Sequence, residues 1–194
     1  MLRKSTCFIL VIAITIPALR AASSATFQHA TSATALAGPK ILTASEATPY
    51  LPSTVFFRGQ SAPIQSRNSG GVQFTKDALL LVALVDTSGY SSAVQEKYQA
   101  YLITETTIDI EGHQLPPGAY GCGFVTGSTF IVMDIGGHDL FSVHSTKDTA
   151  LHRPTPLQVL PVPTGTGYRL YAGRDYIEFT QTPPETNTAT PVHP

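Results

Sequence analysis

The chain has 194 residues, a formal net charge of −1 and only 13% charged residues. That balance offers no positive surface to nucleic acid phosphates or to an anionic membrane, so neither is expected as a partner. With 42% hydrophobic residues, 15 Gly, 15 Pro and no Trp, the frequent turn residues and many β-branched side chains point to an all-β extracellular protein.

Residues 1–25 have the layout of a secretory signal peptide. Arg3 and Lys4 provide a positive start, an apolar run extends from Cys7 to Leu19, and Ala21, Ala22, Ser23, Ser24 and Ala25 supply small side chains for cleavage. The run is shorter than the roughly 20 residues a bilayer span needs. The expectation is therefore a secreted or periplasmic protein with no stable membrane span after signal removal. Ser23 and Ala25 both suit the position before the cut, and either leaves a mature chain of about 170 residues, enough for one domain. Cys7 is lost with the signal, so Cys122 remains alone, without an intrachain disulfide, and is expected to be a buried thiol.

Residues 26–49 are rich in Ala, Thr and Ser without a sustained period and read as a flexible linker. Residues 182–194 carry four prolines among Thr and Asn and read as a disordered tail. Between them, residues 50–181 form a single β domain. Val55-Phe56-Phe57 opens it, and Asn68-Ser69-Gly70-Gly71 is a turn signal before Val72-Gln73-Phe74. Leu79 to Val85 is continuously apolar, as expected for a strand buried on both faces, and Asp86-Thr87-Ser88-Gly89 ends it. Ser92 to Ala100 is the one helix candidate, with Ser92 and Gln95 at capping-box spacing.

The remainder reads as β. Ile108 and Ile110 alternate with Asp109 and Glu111, and Gly112 closes that strand. In the strand from Ala119 to Val125, Tyr120, Cys122 and Phe124 share one face. Gly121 and Gly123 share the other, where a backbone or a ligand must come close. Thr126-Gly127-Ser128 turns the chain into Phe130–Ile135, apolar on both faces, and Gly136-Gly137 turns it again toward Leu140–Val143. Pro161 marks Leu157–Val162 as an edge strand. Tyr168–Tyr171 and Tyr176–Phe179 form a final hairpin around Gly173-Arg174-Asp175. Eight or nine strands and one short helix imply a β-sandwich or a jelly-roll-like barrel.

Ile108-Asp109-Ile110-Glu111-Gly112 followed by Leu115-Pro116-Pro117-Gly118-Ala119-Tyr120 resembles a G-x-x-L-P-x-G-x-Y strand-turn-strand element of uncharacterised secreted bacterial β-sandwich proteins. The resemblance implies a fold and an exported bacterial setting, and no activity. The spacing of Gly112, Pro116, Gly118 and Tyr120 also resembles the second motif of cupins. Here Gly121 stands where the metal-binding His belongs and the H-x-H pair is missing, against a metal-dependent cupin.

No motif identifies a reaction. His113, His138, Asp139, His144 and His152 have ligand chemistry but no recognised spacing, so no metal and no cofactor is expected. Asp86 and Asp134 each end an apolar strand ahead of a glycine, a layout similar to that of aspartic proteases. Ser88 and Ile135 interrupt both Asp-Thr-Gly matches. Glu105 and Glu111, taken as one continuous strand, lie about 20 Å apart, too far for a glycosidase pair. Ser88, Ser142, His144 and Asp134 supply triad residue types without a Gly-x-Ser-x-Gly elbow. The leading expectation is a non-catalytic binding or structural protein of the bacterial envelope or exterior. Its protein or glycan partner would meet Gly121, Gly123, Tyr168, Tyr171 and Tyr176, the tyrosines forming a stacking platform. The alternative is a secreted hydrolase with its site near Asp86 and Asp134.

Overall fold

A computed structural model describes residues 38–163 and 165–183. The expected signal peptide, the expected linker up to residue 37 and the expected tail from residue 184 lie outside the described residues.

The strands in chain order are β1 (Lys40–Leu42), β2 (Thr54–Phe57), β3 (Gln60–Thr75), β4 (Ala78–Val85), β5 (Ala100–Thr104), β6 (Ile108–Ile110), β7 (His113–Leu115), β8 (Gly118–Val125), β9 (Thr129–Met133), β10 (Asp139–His144), β11 (Thr146–Lys147), β12 (Gln158–Pro161), β13 (Tyr168–Ala172) and β14 (Asp175–Gln181). Two short helices, α1 (Ala44–Ala47) and α2 (Ser92–Lys97), lie among them. The large sheet has the order β1-β3-β4-β5-β8-β9-β10, with β2 paired to the start of β3. The small sheet has the order β12-β13-β14-β6-β7, with β11 paired to β14. All pairings are antiparallel. The all-β sandwich expected from composition is the observed architecture, and β12, with Pro161 at its end, is an edge strand as expected.

The inter-sheet core unites Val72, Leu80, Val82, Leu102, Cys122, Phe130 and Val132 of the large sheet with Ile108, Ile110, Leu170, Ile177 and Phe179 of the small one. A second apolar cluster covers the outer face of the large sheet: Val55, Phe57, Val85, Tyr90, Tyr98, Tyr101, Ile131 and Met133. β4 and β9 are therefore buried on both faces, which accounts for their unbroken apolar sequence. Phe57 stacks on Tyr98 with ring centroids 3.8 Å apart, and Tyr90 meets both edge-on. The Tyr90 hydroxyl, 3.0 Å from the Phe57 carbonyl and 3.1 Å from that of Gln60, ties the β2–β3 hairpin down.

Four local expectations need correction. Residues 40–49, read as the end of the linker, are ordered: β1 pairs with β3, and Thr43 starts α1 with its N–H and hydroxyl bonded to Glu46. Asn68–Gly71 is no turn but part of β3, where the pairing register shifts between Gln65 and Ser69. Gly71 is required by close approach, because a Cβ there would strike the Leu80 carbonyl oxygen. The helix begins after Ser91, one residue earlier in its capping than the Ser92–Gln95 spacing implies. It stops at Lys97 because Tyr98 turns into the outer core. The Gln99 side chain then bonds the Phe124 N–H (3.0 Å) and carbonyl (2.8 Å), extending the pairing of β5 with β8. Finally, fourteen strands are present among the described residues rather than eight or nine, since edges such as β7 and β11 run only two or three residues.

Cys122 is 1% exposed in the inter-sheet core, and burial pushes its thiol up to about 12. The expected result is negligible labelling by a thiol reagent in the native state and full labelling in denaturant. Rapid native labelling, or a covalent dimer on a non-reducing gel, would contradict the packing.

Candidate functional site

The five residues expected to share a binding face do not share one. Gly121 and Gly123 lie on the outer face of the large sheet, and that face is occupied by the chain itself. A Cβ on Gly121 would sit 2.5 Å from the Phe57 ring and 3.0 Å from Tyr98, and one on Gly123 would strike the Lys97 carbonyl oxygen. The close approach expected there is real, and what approaches is this chain's own Phe57, Tyr98 and α2. The tyrosines belong to the small sheet and split between its faces, because positions 168 and 171 differ in parity along one strand. Tyr168 points inward and packs on Phe74 and Phe179. Tyr171 is buried on the outer face, its hydroxyl donating to Asp148 at 2.9 Å. Tyr176 is covered by the Arg169 guanidinium, 4.2 Å from the ring centroid. Tyr171 and Tyr176 do pair on that outer face, ring centroids 5.1 Å apart, but with Tyr171 buried and Arg169 over Tyr176 the three tyrosines form no single stacking platform.

The carboxylates of the hydrolase alternative are engaged in their own turns. Asp86 accepts the Ser88 N–H at 3.0 Å, and that bond holds its carboxyl below the ordinary aspartate value. Asp134 accepts the His138 N–H at 3.0 Å and lies 2.8 Å from His138 Nδ1, with the backbone bond the main cause of its lowered pKa. Asp86 follows β4 and Asp134 follows β9. These strands run in opposite directions with β5 and β8 between them, about 14 Å apart across the sheet alone at ordinary strand spacing, and their ends are displaced along it as well. A shared proton is out of reach. Glu105 and Glu111 do not lie on one strand, because the chain crosses from β5 in the large sheet to β6 in the small one between them. Each accepts a backbone N–H at 3.0 Å, from Leu79 and Glu178. Among the described residues no three His, Cys, Asp or Glu side chains group as a metal ion would need.

A different constellation does form, at one end of the large sheet where the β2–β3 turn meets the β9–β10 turn. Phe57 pairs with Gln60, leaving Arg58-Gly59 as a two-residue loop with φ of 49° and 80°. Positive φ at both positions defines a type I′ turn, whose first position favours Asn, Asp or Gly. A left-handed arginine costs roughly 1–2 kcal/mol relative to a conformation free of the Cβ–carbonyl conflict. The Arg58 N–H donates to the Ile135 carbonyl at 2.9 Å, joining the two turns. Its aliphatic stem lies so close over Gly137 (φ 83°) that any Cβ there would collide with it.

Beside this junction is a cleft of about 220 Å³, with Phe57 and Met133 as apolar lining and Arg58, Ser91, Lys97 and Asp139 as polar lining. Lys97 and Asp139 are paired at 2.6 Å. Arg58 is exposed, and among the described residues its guanidinium has no carboxylate partner. Close in sequence to the lining residues, Phe56, Ile135 and Leu140 are exposed by 55%, 50% and 47%. Phe56 points outward because Val55 and Phe57 take the inward positions of β2. Leu140 is turned out by the irregular register between Asp139 and Phe141. Two larger and shallower concavities exist elsewhere. One is lined by Ile41, Phe74 and Tyr168; the other contains Arg169 and Tyr171, whose polar groups are already bonded to Glu178 and Asp148.

Sequence reasoning missed this site. Its one local signal is Phe56-Phe57-Arg58-Gly59, an alternating strand end followed by an x-Gly hairpin with an uncommon first residue. No family model, curated protein or solved structure matches the chain. No helix among the described residues is long and apolar enough to cross a membrane.

Proposed function

We propose that this chain is an exported bacterial β-sandwich protein with a non-catalytic binding role in the cell envelope or outside the cell, and that it docks its partner at the junction of the β2–β3 and β9–β10 turns. The basic, apolar and small-residue order of residues 1–25 supports export. The observation that carries the binding role is the cleft lined by Phe57, Arg58, Ser91, Lys97, Met133 and Asp139, with Phe56, Ile135 and Leu140 exposed at nearby chain positions. Large exposed apolar side chains beside a polar notch are characteristic of interaction surfaces, in which aromatic residues and arginine supply most of the affinity. The hydrolase alternative gains no comparable support, since Asp86 and Asp134 each serve a turn.

Two measurements test the reading. N-terminal sequencing of protein recovered from outside the cytoplasm should begin between Ala22 and Thr26; a mature chain beginning at Met1 would refute export. A photo-crosslinking residue at position 56 or 140 should give one discrete adduct in the native envelope, lost when Ile135→Ser is added. The same residue at Lys76, in the distant β3–β4 turn, should give none. Identical adducts from all three positions, or none from any, would overturn the docking site.

A further inference from the structure

Two arms of the chain fold over one face of the large sheet and build the outer apolar cluster with it. One is the β2–β3 hairpin, residues 54–65; the other is the β4–β5 connection, residues 86–98, which contains α2. The arms are tied to each other. The Asp86 N–H donates to the Pro63 carbonyl at 2.9 Å, the Tyr90 hydroxyl reaches the Phe57 and Gln60 carbonyls, and the Phe57 and Tyr98 rings stack. Both are rooted in structure that holds without them. At one root, Ser66, Arg67 and Asn68 bulge out of β3 between the Gln65–Leu84 and Ser69–Ala83 pairs, and the Ser69 hydroxyl closes the bulge on the Ser66 carbonyl at 2.6 Å. At the other, Gln99 is fastened to β8 by its N–H to the Cys122 carbonyl (3.0 Å) and by its side chain to Phe124.

Against the sandwich the arms rest mainly on apolar contact. Away from the roots, among the described residues, one backbone bond crosses the seam, from the Arg58 N–H to the Ile135 carbonyl at 2.9 Å, together with the exposed Lys97–Asp139 pair at 2.6 Å. An exposed pair of this kind contributes little. Tyr98, packed on Gly121, is buried with its hydroxyl unpartnered, a penalty on closure that is relieved when water reaches it. The inter-sheet core lies on the other face of the large sheet and shares no residue with the outer cluster. We propose that the two arms form one strap that opens and closes as a unit while the sandwich stays folded, as contiguous cooperative segments of proteins do. Arg58, Ser91 and Lys97 of the strap line the cleft with Met133, Gly137 and Asp139 of the sandwich, so closure assembles the cleft and opening takes it apart. On the docking reading above, on which this last step rests, an occupant of the cleft holds the strap shut by mass action.

Hydrogen exchange of the mature chain in low urea, followed by peptide mass spectrometry, tests the strap without any partner. The hydrogen-bonded amides of both arms should exchange through one common opening, about tenfold or more faster than those of β4, β5, β8 and β9. Leu170→Ala, in the inter-sheet core, should speed exchange in β5, β8 and β13 and leave both arms unchanged, because opening the strap breaks no contact of Leu170. Ile177→Val is the milder substitute should Leu170→Ala not fold. Tyr98→Phe, which removes the unpartnered hydroxyl, should slow both arms alike, by about fivefold or more. The strap is overturned if the core substitution speeds the arms as much as the core, or if Tyr98→Phe acts on one arm alone or on neither. A failed crosslink at position 56 would remove the docking site and leave this result untouched.

Discussion

Replacing Gly121 with valine should lower the melting temperature without abolishing the fold. The new side chain would have to displace the Phe57 ring, 2.5 Å from its Cβ, and the Tyr98 ring stacked on it. Overpacking of this kind costs about 1–3 kcal/mol. For a domain of this size that is roughly 2–12 °C. Gly123→Val should be worse, because the atom it meets is the Lys97 carbonyl oxygen, and backbone at the end of α2 cannot swing aside like a ring. An unchanged melting temperature for both would mean that α2 and the β2–β3 hairpin do not rest on this face.

Phe57→Ala and Phe56→Ala should behave as opposites although the residues are neighbours. Phe57 is fully buried and stacked at the centre of the outer apolar cluster; its loss should cost about 3–5 kcal/mol, seen as a lower urea midpoint at an unchanged slope. Phe56 is 55% exposed, and its loss should fall within about 0.5 kcal/mol. Phe56→Ala should nonetheless weaken partner binding, whereas Phe57→Ala disturbs binding only by loosening the hairpin that presents Arg58. Equal destabilisation by the two would place both on the same face and remove the exposed patch.

The strands that could be read from the sequence are those whose own pattern records burial. β4 and β9 are apolar without interruption because each lies between two cores, and the alternation of Ile108 and Ile110 with Asp109 records a strand with one wet face. The Gly121–Gly123 pair announced a close approach because a missing Cβ is a local property visible in one chain. The all-β class, the edge position of β12 and the burial of Cys122 follow from the same short-range logic. Period, proline placement and side-chain size act within a few residues.

What approaches Gly121, where α2 stops and which side chains gather at the docking cleft are set by contacts between residues far apart in sequence. Phe57, Tyr98 and Gly121 meet across more than sixty positions. The β2–β3 and β9–β10 turns meet because the Arg58 N–H finds the Ile135 carbonyl. No spacing rule encodes such a meeting. The same limit explains the expectations that failed. Asp86 and Asp134 look equivalent along the chain, yet antiparallel order sends their strands in opposite directions. Tyr168 and Tyr171 look clustered, yet the two-residue period of a strand puts them on opposite faces. The sequence by itself determined which segments are strands and which faces are apolar, since those depend on neighbours in the chain. Only the tertiary structure decided which apolar residues stay outside and which side chains line the cleft between the turns, since that depends on how the sheets and turns close on one another.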